Sequence, residues 1–261
     1  MLINKFTCGT ALLQSPFFLT FRYLSGLLGY RADGYSILSQ WGISIAASFY
    51  GLLGLFFARK LLISFGFDKQ TSLAAILIYL FGSNLFFYMF MHPGMSHVYS
   101  FSMISILLYA VRMFFLNGKK KYILLASISI GLVFLIRPFN ILIIFFLPFL
   151  AESSGQFLKR LVQLFHPSRL ALLLIPAIFI VGIQSWIYYR QIGEFWIWAY
   201  QDEGFFLTNP QLSNFLWSYR KGLFLYTPLT LLSFFGVLVL LRREPLRALA
   251  WFMFLFFIVW M

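Results

Sequence analysis

Along this chain, long apolar stretches alternate with short polar breaks, and most of the breaks are basic. Apolar runs cover residues 37–57, 71–91, 98–116, 170–188, 226–241 and 246–261. A helix needs about 20 apolar residues to cross the hydrocarbon core of a bilayer, so the pattern predicts about six transmembrane helices, the last two short. A seventh stretch, residues 122–150, is the most apolar, yet Arg137-Pro138 interrupts it at the centre. Each arm has about 13–15 residues, roughly 20 Å of α-helix at 1.5 Å per residue. The expectation is a broken two-arm hairpin or two thin, tilted spans. Residues 10–30 are apolar but carry Pro16 and Arg22, which suits an interfacial or re-entrant helix. The fold class expected is therefore an all-α polytopic transmembrane bundle, one domain over residues 1–261. Residues 1–33 are expected to be an external or interfacial segment and residues 189–225 an external loop.

Charge fixes an orientation for this pattern. Twelve of the 20 Lys and Arg fall in four breaks, residues 59–70, 117–121, 152–169 and 242–247. The alternate breaks hold few: none lies in residues 92–97, and residues 189–225 contain Arg190, Arg220 and Lys221. Cytoplasmic loops are rich in Lys and Arg, so the four basic breaks are expected inside. Residues 122–150 must then start and end inside, which lifts Arg137 toward the outer leaflet. Of the seven acids, Asp33, Glu194, Asp202 and Glu203 fall on the expected outer side.

Composition agrees with the pattern. The chain is 61% hydrophobic and 10% charged, with a mean hydropathy of +0.87, whereas soluble domains are about 25% charged. The formal charge of +13 would suggest nucleic acid in a soluble protein; here it reads as membrane topology, and no nucleic-acid partner is expected. Cys8 is the only cysteine, which excludes an internal disulfide.

Candidate chemistry lies at the expected outer edge. His92 and His97 sit in the turn MHPGMSH, five residues apart. Helical zinc pairs are usually four apart, so no metal is expected. The imidazoles either line a polar cleft or are solvated by headgroups. Aromatic rings flank Asp202 and Glu203 in WIWAYQDEGFF, an arrangement found in sugar sites and in interfacial belts alike. Arg220 and Lys221 form a paired cation before an apolar run, suited to a lipid phosphate or to headgroup anchoring. Arg137 is the strongest candidate. A cation at membrane depth should face a cavity or an anion, and its planar fork matches phosphate oxygens.

The segments KFTCGTALLQSPFFLTFRYL, GYRADGYS, YGLLGLFFARKLL, HPGMSHVYSF, LIRPFN and RKGLFLYTPL occur in that order. Together they resemble the bacterial multi-spanning glycosyltransferases of the GT-C superfamily, such as protein mannosyltransferases and lipid A aminoarabinose transferases. The resemblance covers nearly the whole chain. It implies a multi-pass enzyme of the bacterial inner membrane that moves a sugar, with inversion, from a polyprenyl-phosphate-linked donor to a glycan, lipid or protein acceptor outside. It implies no further cofactor. An acid of the first external loop would be the base, a role that falls on Asp33, with Asp202 and Glu203 as the other external carboxylates. Arg137, with Arg220 or Lys221, would hold the leaving phosphate, and His92 and His97 would line the substrate cleft. Family members begin with a span ahead of that loop and continue beyond the equivalent of Met261, so the resemblance implies a piece of a longer enzyme. A transporter or flippase of a lipid-linked or anionic substrate is the alternative, since a helix broken beside a cation also marks transporters.

Overall fold

A computed structural model describes residues 6–197, 211–220 and 222–260. Every regular element among them is helical. In chain order they are α1 (Gly9–Leu27), α2 (Ile37–Ser64), α3 (Lys69–Gly82), α4 (Leu85–Phe90), α5 (Ser96–Asn117) and α6 (Lys120–Ile136). A 3₁₀ rod (Pro138–Leu150) comes next, then α7 (Ser154–Leu164), α8 (Pro167–Ile192), α9 (Leu212–Trp217), α10 (Leu223–Tyr226), α11 (Leu231–Arg243) and α12 (Pro245–Trp260). Three helices, α2, α5 and α8, are long and apolar enough to cross a membrane. The remaining expected spans are shorter: α11 has 13 residues and α12 has 16.

Residues 71–91, expected as one span, form two helices instead. The break falls after Gly82, where Ser83 turns extended (φ −125°, ψ 176°) and its hydroxyl accepts from the Leu85 N–H. Glycine disfavours helix and serine favours caps, so a short polar interruption outweighs the apolar flanks. Upstream, α1 is one continuous helix through Pro16. Proline cannot donate to the Leu12 carbonyl, and the Ser15 hydroxyl bonds to that carbonyl in its place at 2.8 Å.

The 3₁₀ rod corrects the expected length of the broken hairpin. A 3₁₀ helix rises about 2.0 Å per residue, so its 13 residues span about 26 Å. The 17 residues of α6 span about the same distance at 1.5 Å each. Stretching the second arm lets it return the full length of the first. The two arms turn at Arg137, whose extended backbone (φ −152°, ψ 115°) closes α6.

The core sits where α2, α5 and α6 meet, around Ala46, Ala47, Tyr99, Met103, Leu107 and Val133. Small residues permit the close approaches, as in membrane bundles generally. A Cβ at Gly9 would overlap the backbone of Leu135 and Ile136, and one at Gly54 would lie 2.6 Å from the Phe101 ring. Beyond this core α1 and the first half of α2 continue as a helical hairpin. Its contact is tightened at the tip by Ser25, whose hydroxyl pairs with that of Ser36 at 2.9 Å.

All four basic breaks gather at one end of the bundle. Arg112 donates to the Ser64 and Leu150 carbonyls at 3.0 and 2.8 Å and to Glu152 at 3.2 Å. Arg160 donates to the Phe115 and Leu116 carbonyls, and Arg247 to those of Phe149 and Ala151. The last carbonyls of a helix lack intrahelical partners, and its C-terminus carries partial negative charge. α2, α5 and the 3₁₀ rod all end here, and these three arginines satisfy them. Charge that reads as a topology signal is thus also structural.

Asp68 starts α3 at the same end. The Thr71 hydroxyl, then the Thr71 and Gln70 N–H groups, hold its carboxyl below the usual carboxylate range. A lowered folded pKa adds stability above the unfolded value and loses it as pH falls through the folded one. Acidification through that lowered value is expected to reduce the amide protection factors, referred to the intrinsic rate at each pH, in the first turn of α3 ahead of the bundle core. Equal onset in both would contradict the cap's role.

Candidate functional site

The end opposite the basic breaks is built by the start of α1, the turn at residues 92–97, the α6–rod turn and the upper part of α8. Polar side chains tie these parts together across an apolar bundle. Gln14 of α1 donates to the Tyr99 hydroxyl at 3.1 Å, and that hydroxyl donates to the Pro93 carbonyl at 3.1 Å. Tyr99 is fully buried, so this chain pins the 92–97 turn onto α1. Thr7 bonds to the Ile136 carbonyl at 3.2 Å, and the Cys8 N–H bonds to the Gln184 side chain of α8 at 2.7 Å. Asn140 donates to the Ser100 hydroxyl at 2.9 Å.

Arg137 stands at this end on the turn itself. Its side chain is exposed and has no hydrogen bond or ion pair among the described residues, unlike Arg112, Arg160 and Arg247 of the basic end. Its carbonyl is engaged, accepting from the Asn140 N–H at 2.9 Å, so the backbone is fixed while the guanidinium stays available. Immediately beyond it lies a groove of about 400 Å³, lined by Phe139, Asn140, Leu142, Ile143 and, across from them, Ile104 and Phe254. Asn140 is the polar member of that lining. An exposed cation above an apolar groove is complementary to an anionic head on a hydrocarbon chain.

The other sequence candidates divide. His97 stacks on Tyr88 at 4.1 Å between ring centres, and His92 lies against Phe87 at 4.8 Å. Both sit at the same end as Arg137, His97 one turn before the Ser100 that Asn140 contacts. Asp33 is elsewhere, exposed at the tip of the α1–α2 hairpin, where its carboxylate accepts from the Tyr35 N–H at 2.9 Å. Neighbouring Gly34 is held by Gln40, whereas Tyr99 lies against Tyr50; those two α2 positions are about 15 Å apart along the helix. The structure therefore does not bring Asp33 to the histidines. The tip rides higher because α2, with 28 residues, is about 42 Å long and overshoots the bundle. Arg220 is exposed, with its N–H on the Ser218 hydroxyl. Asp202, Glu203 and Lys221 lie outside the described residues. Among the described residues no three His, Cys, Asp or Glu side chains converge.

Sequence reasoning missed Gln14, Tyr99, Asn140 and Gln184. The signal was present for the amides, which are isolated polar groups inside apolar runs. A buried amide needs partners, so each marked an inter-helix contact. Comparison with known protein families, with curated proteins and with solved structures finds no match to this chain.

Proposed function

We propose that this is a multi-pass membrane enzyme that binds a polyprenyl-phosphate-linked sugar and transfers the sugar at the end of the bundle where Arg137 lies. The observation that carries the reading is the exposed Arg137 guanidinium, without a hydrogen bond or ion pair among the described residues, on a fixed turn beside an apolar groove. The groove would take the first isoprene units and the guanidinium the phosphate, where it would stabilise the charge that develops as the glycosidic bond breaks. Asp33, Asp202 or Glu203 would deprotonate the acceptor hydroxyl; for Asp33 this requires the acceptor to reach the hairpin tip. His92, His97, Arg220 and Lys221 would contact substrate around the same end. Positive-inside bias supports an orientation in which this end would lie at the outer face of the cytoplasmic membrane. The transporter reading has less to draw on, because Arg112, the cation buried within the bundle, is already engaged with two helix ends and Glu152.

The test uses the purified chain in lipid nanodiscs, titrated in parallel with polyprenyl phosphate and with the neutral polyprenol. Tighter binding of the phosphate is expected. Equal affinity for the two would refute the proposed donor class. Passage of an intact polyprenyl-phosphate sugar across sealed vesicles, without cleavage, would favour the transporter.

A further inference from the structure

The basic end contains a second enclosure, separate from the Arg137 groove. α5, α6, the 3₁₀ rod, α7 and α8 surround a cavity of about 290 Å³. Leu107, Ala126, Ile144, Phe157, Leu161 and Leu173 contribute to its wall, and Tyr122 is the one residue of the lining with a polar side chain. Protein interiors leave few voids this large, and an apolar cavity does not hold water. In a bilayer, the filler at hand is hydrocarbon. Leu161 and Ile144 are each 40% exposed, so the cavity opens onto the outer surface of the bundle.

Its cover is α7, the most amphipathic of the longer helices among the described residues. Phe157, Leu161 and Leu164 face the cavity, while Leu158, Val162 and Phe165 remain exposed beside them. Such a helix lies in the plane of an interface with its apolar residues in the acyl boundary. The rim is cationic. Lys119, Lys120 and Lys121 open α6 just before Tyr122 and Ile123 of the wall, and all three are exposed. Lys159 is exposed on α7. The Arg160 guanidinium lies against Gly118, which brings the Lys159 turn of α7 beside the start of α6. Arg160 itself is committed to the Phe115 and Leu116 carbonyls, and Glu152 is held by Arg112 and Gln156. None of the four lysines has an acidic partner among the described residues.

We propose that this cavity is a binding site for an anionic phospholipid, with one acyl chain under α7 and the headgroup phosphate on Lys119–Lys121 and Lys159. The site would tie the bundle to the anionic leaflet and clamp α7 over the ends of α5 and the 3₁₀ rod. It is independent of the glycosyltransferase reading and would serve a transporter equally.

The experiment reconstitutes the full chain in phosphatidylcholine nanodiscs containing traces of either phosphatidylglycerol or phosphatidylcholine with a photoreactive group at mid-chain. Crosslinks are mapped by mass spectrometry. Labelling within residues 157–164 and 122–130 is expected to favour phosphatidylglycerol by at least about fivefold, the weight of one near-surface lysine against an anionic lipid. Ala126→Phe, which fills the cavity, is expected to abolish that labelling. The triple exposed substitution Lys119→Gln, Lys120→Gln, Lys121→Gln leaves the wall intact and is expected to bring phosphatidylglycerol down to the phosphatidylcholine level. Equal labelling by both lipids in the unaltered chain, or undiminished preference in the triple variant, would overturn the proposal.

Discussion

Replacing Arg112 by Met is expected to cost about 3–5 kcal/mol of stability, because it leaves one buried and one half-buried helix-end carbonyl without this partner. Arg112 is 3% exposed. Its guanidinium joins the ends of α2 and the 3₁₀ rod through the Ser64 and Leu150 carbonyls, and it lies 4.5 Å from the centre of the Phe65 ring. Arg247 lies over the same ring at 5.1 Å and reaches the Phe149 and Ala151 carbonyls. The pair thus anchor the end of the 3₁₀ rod. Lysine at 112 keeps the charge but, as a single ammonium, cannot reproduce the fork, so Arg112→Lys is expected to be impaired as well. Glu152 is different, since its side chain is 54% exposed. Removing its charge in Glu152→Gln is expected to cost no more than about 1 kcal/mol. The check is denaturant unfolding of the purified variants in one detergent. Equal losses for Arg112→Met and Glu152→Gln would show that the ion pair, and not the carbonyl capping, carries the interaction.

Much of the helical plan was legible because apolar periods of membrane length are the strongest signal such a chain contains. The long α2, α5 and α8 match the runs at residues 37–57, 98–116 and 170–188. The turn at Arg137-Pro138 was legible for the same reason, as the one cation in an apolar field, followed at once by a breaker. What was not legible depended on groups distant in sequence. The far end of residues 138–150 is held by arginines at 112 and 247, far away in sequence. The break at Ser83 rests on a local cap that hydropathy does not weigh. Arg112 is buried because two helix ends converge on it, a convergence that its position inside an apolar run does not reveal. Asp33 sits above the histidines since α2 outruns the bundle, and helix overshoot is a matter of packing level that no motif records.

Arg137→Ala is expected to weaken binding of polyprenyl phosphate by about 2–5 kcal/mol, the loss for truncating one partner of a desolvated charge pair. The protein itself should remain folded, because the Arg137 side chain supports no other group among the described residues: its backbone carries the turn through the Val133 carbonyl and the Asn140 N–H. Arg137→Lys retains a point charge without bidentate geometry and is expected to bind with intermediate affinity. Asn140→Ala separates the two roles of the turn, since it removes the Ser100 contact and should lower stability along with binding. The decisive measurement is the affinity of unaltered and Arg137→Ala protein for a polyprenyl-phosphate analogue in nanodiscs, at matched thermal stability. The account predicts a loss of at least about thirtyfold, the lower bound of that range. Equal affinity in the two proteins would contradict the assignment of Arg137 to the carrier phosphate.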